Sequence, residues 1–98
     1  MKYRIKDVTN RNNTDLRNHS QNIELGVQAI FPNAYVNVYQ YYFEIINLSS
    51  IPSDSQLRKM GQEIVKKDSY LRSLAKQYNY TRSDGTPGKS VQLFEKFD

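Results

Sequence analysis

His19 is the only imidazole in a chain that contains no cysteine. A transition-metal site needs several nitrogen or thiolate ligands, so this one ring does not define one. General base catalysis would need an orienting carboxylate and a nucleophile beside the ring. Asp15 stands four residues earlier, on the same face if a helix forms there, and Ser20 adjoins His19. Such proximity is common on polar helices, and His19 reads as an exposed helical residue. The carboxylates are scattered, with no D-x-D or E-x-x-H spacing. Glu63, beside Lys59, Lys66 and Lys67, reads as a local ion-pairing partner.

Gly88-Lys89-Ser90 has the ending of a phosphate-binding loop. The full pattern requires glycine five residues before Gly88, where this chain has Ser83, and a helix immediately after. Residues 91–95 have strand character instead, so 83–88 is read as the turn-rich connection of a hairpin. No cofactor is implied, and the chain reads as non-catalytic. An unrecognised hydrolase is the weakest alternative.

The spacing of cations is more informative. Leu57, Gly61, Ile64, Leu71, Leu74, Ala75 and Tyr78 recur at helical period over residues 53–78. Arg58, Lys59, Lys66, Lys67, Arg72 and Lys76 fall beside or opposite that stripe. Residues 53–82 carry a net +4 and residues 1–17 a net +3, while the remaining stretches sum to −3. The +4 chain therefore concentrates its positive charge, which suits phosphate contacts and a salt-dependent affinity. Lys2, Arg4, Lys6, Arg11 and Arg17 extend the patch if the first strand lies beside the second helix.

Tyrosine is the second unusual feature, with 8 residues and no tryptophan. A tyrosine ring fills core space while its hydroxyl stays at the edge. With few Leu and Phe available, several of these tyrosines are expected inside. Tyr39, Tyr41, Tyr42 and Tyr70 are the candidate aromatic anchors, able to stack on unpaired bases or to seat in a protein interface. The K/R-G-F/Y-G/A-F string of aromatic RNA-binding motifs is absent.

Ninety-eight residues make a single domain, 1–98, with room for one modest core. No apolar run reaches the roughly 18 residues of a membrane span. The first residues lack the apolar stretch of a signal peptide, so the expected location is cytoplasmic. A richness in Asn, Lys, Ile and Tyr resembles small phage and plasmid products of AT-rich Gram-positive genomes. That resemblance is one of composition over the whole chain and rests on no motif.

The elements that must position these residues follow from local pattern. Residues 2–8 predict a strand, and 9–13 a polar loop. Thr14 or Asp15 caps a helix to about Phe31, stopped by Pro32-Asn33. Residues 34–48 are rich in Val, Ile, Tyr and Phe, and read as strands 34–39 and 41–46 folding near Gln40, with one long bent strand as competitor. On the single-strand alternative Tyr35, Tyr39, Tyr41, Phe43 and Ile45 would share a face. Ser53 with Gln56 fits a capping box. From there one helix runs to Tyr78, or Asp68-Ser69 breaks it and caps a second. Gly26 and Gly61, inside predicted helices, predict close approach of neighbouring elements. Residues 80–82 and 89–97 read as two short strands.

The expected fold is therefore α+β, an antiparallel-rich sheet of four to five strands with two main helices in the order β-α-β-β-α-β-β. The expected function is stoichiometric binding of an anionic macromolecule, nucleic acid or nucleoprotein, through Arg58, Lys59, Lys66, Lys67, Arg72 and Lys76. The alternative is a protein inhibitor or adaptor of the phage or plasmid kind. It would engage a host or defence enzyme through its tyrosine- and arginine-rich surface. Oligomeric state does not follow from either reading.

Overall fold

A computed structural model describes residues 1–78 and 93–98. The fold is α+β. Among the described residues a four-stranded antiparallel sheet is formed by β1 (Lys2–Ile5), β2 (Val36–Val38), β3 (Phe43–Ile45) and β4 (Phe94–Lys96). Its spatial order is β2-β3-β1-β4. The helices are α1 (Val8–Asn13), α2 (Ser20–Ile30), α3 (Asp54–Lys67) and α4 (Ser69–Tyr78). The expected strand 80–82, the turn 83–88 and the start of the strand 89–97 lie outside the described residues.

Strand alternation decides the two faces of the sheet. Tyr3 and Ile5 of β1, Phe43 and Ile45 of β3 and Phe94 of β4 all point inward and are buried. Tyr3 stacks on Phe43 at 5.5 Å, and Phe43 meets Phe94 edge-on at 5.1 Å. Each such pair contributes about 0.5–1.5 kcal/mol beyond the area it buries. Ile23 and Val27 of α2, with Leu57, Met60 and Ile64 of α3, complete this core. Burial pushes the Tyr3 phenol up to about 12, and the nearby charge of Asp98 adds to the effect.

Residues 34–48 form the hairpin rather than one strand. Val38 pairs with Phe43, and Tyr39 N–H donates to the Tyr42 carbonyl at 2.8 Å across the loop. The loop contains no glycine; stacking of Tyr39 on Tyr42, with centroids 4.6 Å apart, closes it instead. Because the chain reverses here, Val36 and Val38 join Phe43 and Ile45 inside. Tyr35 turns outward and is 72% exposed.

Three segments depart from the sequence expectation. The strand expected over 2–8 ends at Ile5, because Asp7 caps a helix that already includes Val8. The loop expected at 9–13 is helix α1, because the Asp7 side chain accepts from Asn10 N–H and caps it. Arg11 then pins α1 to β1, donating to the carbonyls of Ile5 and Lys6. The helix expected from Thr14 or Asp15 begins regularly only at Ser20. Before it runs a 3-10 turn, Leu16–His19, capped by Asp15 through Arg17 N–H. Asn18 and Ser20 are of residue types that favour turns over regular helix, which suits this shorter turn. The helix ends where expected, with Phe31 N–H donating to the Val27 carbonyl before Pro32.

The expectation that several tyrosines fill the core is corrected. Among the described residues Tyr3 is in the core, Tyr42 is half-buried, and Tyr35, Tyr39, Tyr41 and Tyr70 are exposed. Phe43, Phe94, Met60 and the branched aliphatics fill the space instead.

Gly26 fits the expectation of close approach. A Cβ there would lie 2.4 Å from Ile64 Cγ1 and 2.7 Å from Ile64 Cα, so α2 and α3 touch backbone to backbone. Gly61 does not fit it, since a Cβ there would meet nothing within 4 Å.

Candidate functional site

The basic segment is built as two helices. Ser53 and Gln56 form the expected capping box, with Gln56 N–H to Ser53 Oγ at 3.1 Å and Ser53 N–H to Gln56 Oε1 at 3.0 Å. Leu57, Met60, Gly61 and Ile64 hold the inner side of α3 against the core. This fixes Arg58, Lys59, Lys66 and Lys67 toward solvent. Lys59 and Lys66 stand seven residues apart, two turns along one outward face.

Asp68 breaks the helix. Its Oδ1 accepts from Leu71 N–H at 2.9 Å and so caps α4. Arg72 seals the break by donating to the carbonyls of Val65 and Lys66, at 2.9 and 2.7 Å, at the negative end of the α3 dipole. Leu71, Leu74 and Ala75 bury the inner side of α4 and leave Lys76 exposed.

The six expected cations therefore divide by role. Lys66 pairs with Glu63 at 3.0 Å and Lys67 approaches its other oxygen at 3.9 Å. The Lys66 hydrogen bond holds the Glu63 carboxyl below its ordinary range. Arg72 is committed to backbone carbonyls. Among the described residues, Arg58, Lys59 and Lys76 make no ion pair or hydrogen bond. From Asp54 to Lys76 the chain exposes all six cations and one carboxylate, Asp54, while Glu63 is half-buried and Asp68 is 4% exposed.

His19 is not the exposed residue its sequence context predicts, and its carboxylate is not Asp15. Asp15 is held by Arg17, with Arg17 Nη2 at 2.6 Å from its Oδ2. His19 Nδ1 lies instead 2.7 Å from Asp68 Oδ2, which also accepts from Asn22 Nδ2 at 2.9 Å. Tyr70 stacks on the imidazole at 5.1 Å, and its hydroxyl lies 3.4 Å from Thr14 Oγ1. Burial alone would push the Asp68 carboxyl up. Hydrogen bonds from Asn22, Leu71 and His19 outweigh it and hold the group below its usual range.

A carboxylate-held imidazole is half of a nucleophile-activating arrangement. The buried hydroxyl in this cluster, Thr14 Oγ1, is engaged with Tyr70 rather than His19. The cluster acts as a brace that ties α2 to the α3–α4 break.

A shallow depression of about 430 Å³ lies elsewhere, lined by Gln28, Pro32, Asn33, Ala34, Tyr35 and Asn47. Neither His19 nor a carboxylate lines it. Among the described residues no group of three histidine, cysteine or carboxylate side chains is placed to hold a metal, and no helix is long and apolar enough to cross a membrane. Gly88-Lys89-Ser90 lies outside the described residues.

The four candidate aromatic anchors are not brought together. Tyr39, Tyr41 and Tyr42 share the β2–β3 loop, whereas Tyr70 packs on His19. The first strand does not extend the basic patch of α3 and α4 either. Alternation puts Lys2 and Arg4 on the outer face of the sheet, away from the helix-covered side.

On that outer face lies a group the sequence reading missed. Lys2 Nζ sits 5.7 Å above the Tyr42 ring, and the Arg4 guanidinium 4.8 Å above the Phe97 ring. Phe97 meets Tyr42 edge-on at 5.5 Å. Arg4 and Arg11 converge on Glu95 Oε1, each at 3.0 Å. The available signal was the alternation Lys2-Tyr3-Arg4-Ile5-Lys6, which places every cation of β1 on one side.

Neither a protein-family model, nor a curated protein, nor a solved structure matches this chain.

Proposed function

We propose that the protein is a non-catalytic binding module for nucleic acid, free or within a nucleoprotein, and that the outward side of α3 and α4 contacts the phosphates. The observation that carries this reading is the inequality of exposed charge along that side. Six cations reach solvent there against one exposed carboxylate, Asp54 at the start of α3, while Asp68 is buried and Glu63 is half-buried and already paired. Phosphate binding by such a face needs no base recognition, and its strength comes largely from counterion release.

Arg58, Lys59 and Lys76 are the principal contacts, because approaching phosphates displace no intramolecular partner from them. Lys66 and Lys67 contribute after exchanging Glu63 for phosphate. Arg72 acts mainly by holding the helix break that sets the two basic segments at their mutual angle.

The test is the double substitution Arg58→Glu with Lys59→Glu, followed by gel-shift titration of labelled DNA and RNA. Both residues are exposed and lie outside the core, so the fold is retained. Binding is expected to weaken by roughly tenfold or more, since each lost phosphate contact removes a share of the electrostatic free energy. Unchanged binding would show that nucleic acid does not use this face. Binding of a protein target at full strength with no nucleic acid present would favour the inhibitor reading instead.

A further inference from the structure

The outer face of the sheet combines features that a phosphate-binding helix pair does not require. β1 sends Lys2 and Arg4 outward, with Lys6 next in the alternation, and Arg11 reaches the same face through Glu95. Glu44 and Glu95 are set among them by strand pairing. Asp98 accepts from Lys2 N–H at the edge, where the Met1 amino group and Lys96 offset it, leaving the face net positive. Tyr39, Tyr42 and Phe97 form a row with centroid steps of 4.6 and 5.5 Å. Tyr39 and Phe97 remain 41% and 37% exposed, although both are large aromatic groups on a small domain.

We propose that this face is a stacking platform for the unpaired bases of a single-stranded nucleic acid, with Lys2 and Arg4 taking its phosphates. The proposal rests on the nucleic-acid reading above and adds to it a second contact surface, on the face of the sheet opposite α3 and α4, that takes single strands. In the unliganded protein Lys2 lies over Tyr42, and Arg4 lies over Phe97 while its Nε pairs with Glu95 at 3.0 Å, a pair that phosphate would exchange. A nucleotide supplies a better partner to both groups at once. Its phosphate accepts the cation, and its base takes the vacated ring face. Tyr39 and Tyr42 stack on each other and Phe97 stands edge-on to Tyr42, so the outer faces of this row suit about one or two unpaired bases. Paired bases in a duplex have their faces stacked on one another and cannot use the rings. Bare polyphosphate can use only the cations.

The experiment compares oligothymidylate, duplex DNA and inorganic polyphosphate at equal salt, on the wild-type protein and on Tyr39→Ala with Phe97→Ala. Tyrosine is the emitter in this tryptophan-free chain, so its fluorescence reports stacking directly. The expected result is tightest binding of oligothymidylate, with quenching of tyrosine emission by that ligand alone. The double variant should lose roughly tenfold or more in oligothymidylate affinity and keep its polyphosphate affinity. The single substitution Tyr39→Ser, at an exposed loop position, should lose part of the oligothymidylate affinity and keeps the test valid should the double variant unfold, while Tyr39→Phe, which preserves the ring, should restore it. Equal affinity for all three polyanions, unchanged by removal of the rings, would overturn the platform while leaving the nucleic-acid reading intact. No binding of any of the three at low salt would overturn both.

Discussion

His19 Nδ1 and Asp68 Oδ2 lie 2.7 Å apart although 49 residues separate them in the chain. Asp68 caps α4 through Leu71 N–H and accepts from Asn22 of α2 as well. One buried carboxylate therefore sets both the break between the basic helices and its position against α2. Replacing Asp68 with Ala removes the cap and leaves buried donors without partners. The expected cost is about 2–3 kcal/mol, read as a lower midpoint in urea unfolding. A loss below half a kilocalorie, on the order of an exposed substitution, would show that the brace carries little of the fold.

The same group gives a pH dependence with a definite sign. Its carboxyl titrates lower in the folded protein than in the unfolded chain, where Asp titrates near 3.9. Its stabilising contribution is thus fully present above about pH 4 and is lost as pH falls through the lower folded value. Thermal melts of the wild type should drop in acid, and Asp68→Asn should start lower at neutral pH and drop less. Glu63 and Asp15 are shifted in the same direction, but they lie at the surface, where solvent screening leaves them little weight. Parallel acid profiles for the two proteins would contradict this assignment.

The two helical glycines should respond oppositely to alanine. At Gly26 the added methyl would overlap the Ile64 backbone, which cannot move without separating α2 from α3. Gly26→Ala is expected to cost about 1–3 kcal/mol or more. At Gly61 the methyl meets open space, so the gain in helix propensity dominates and Gly61→Ala should stabilise by roughly 0.5–1 kcal/mol. Chemical denaturation of both variants checks the pair; destabilisation at both sites would mean that Gly61 also packs closely.

Ser53→Ala removes one half of the capping box at the entry to α3. A loss of about 1 kcal/mol is expected in the same assay. Nucleic-acid affinity at a temperature where the variant is folded should be preserved, because Ser53 contributes to the start of the basic helix and not to its charged side.

Local signals carried much of this architecture. The hairpin near Gln40, the capping box at Ser53 and the stop at Pro32 follow from residues close to one another in the chain. What escaped depends on pairings across long separations. Asp68 was legible as a break and cap within the basic segment, but nothing in its neighbourhood names His19 or Asn22 as its partners. The helix at 8–13 was hidden because asparagine-rich sequence favours loops, and its stability comes from the Asp7 cap and the reach of Arg11 to β1. Aromatic position was likewise a tertiary matter. Reversal of the chain at 39–42 decides which tyrosines face out, and only sheet order brings Phe97 to Tyr42.

The central claim is that exposed lysine and arginine side chains on α3 and α4 bind phosphates. The most direct measurement is fluorescence anisotropy of a labelled nucleic acid across a series of salt concentrations, for the wild type and for Arg58→Glu with Lys59→Glu. A straight line of log affinity against log salt is predicted, falling steeply for the wild type. In the variant the slope should be shallower by roughly two, about one for each lost contact. An affinity independent of salt, or identical slopes for the two proteins, would contradict the claim.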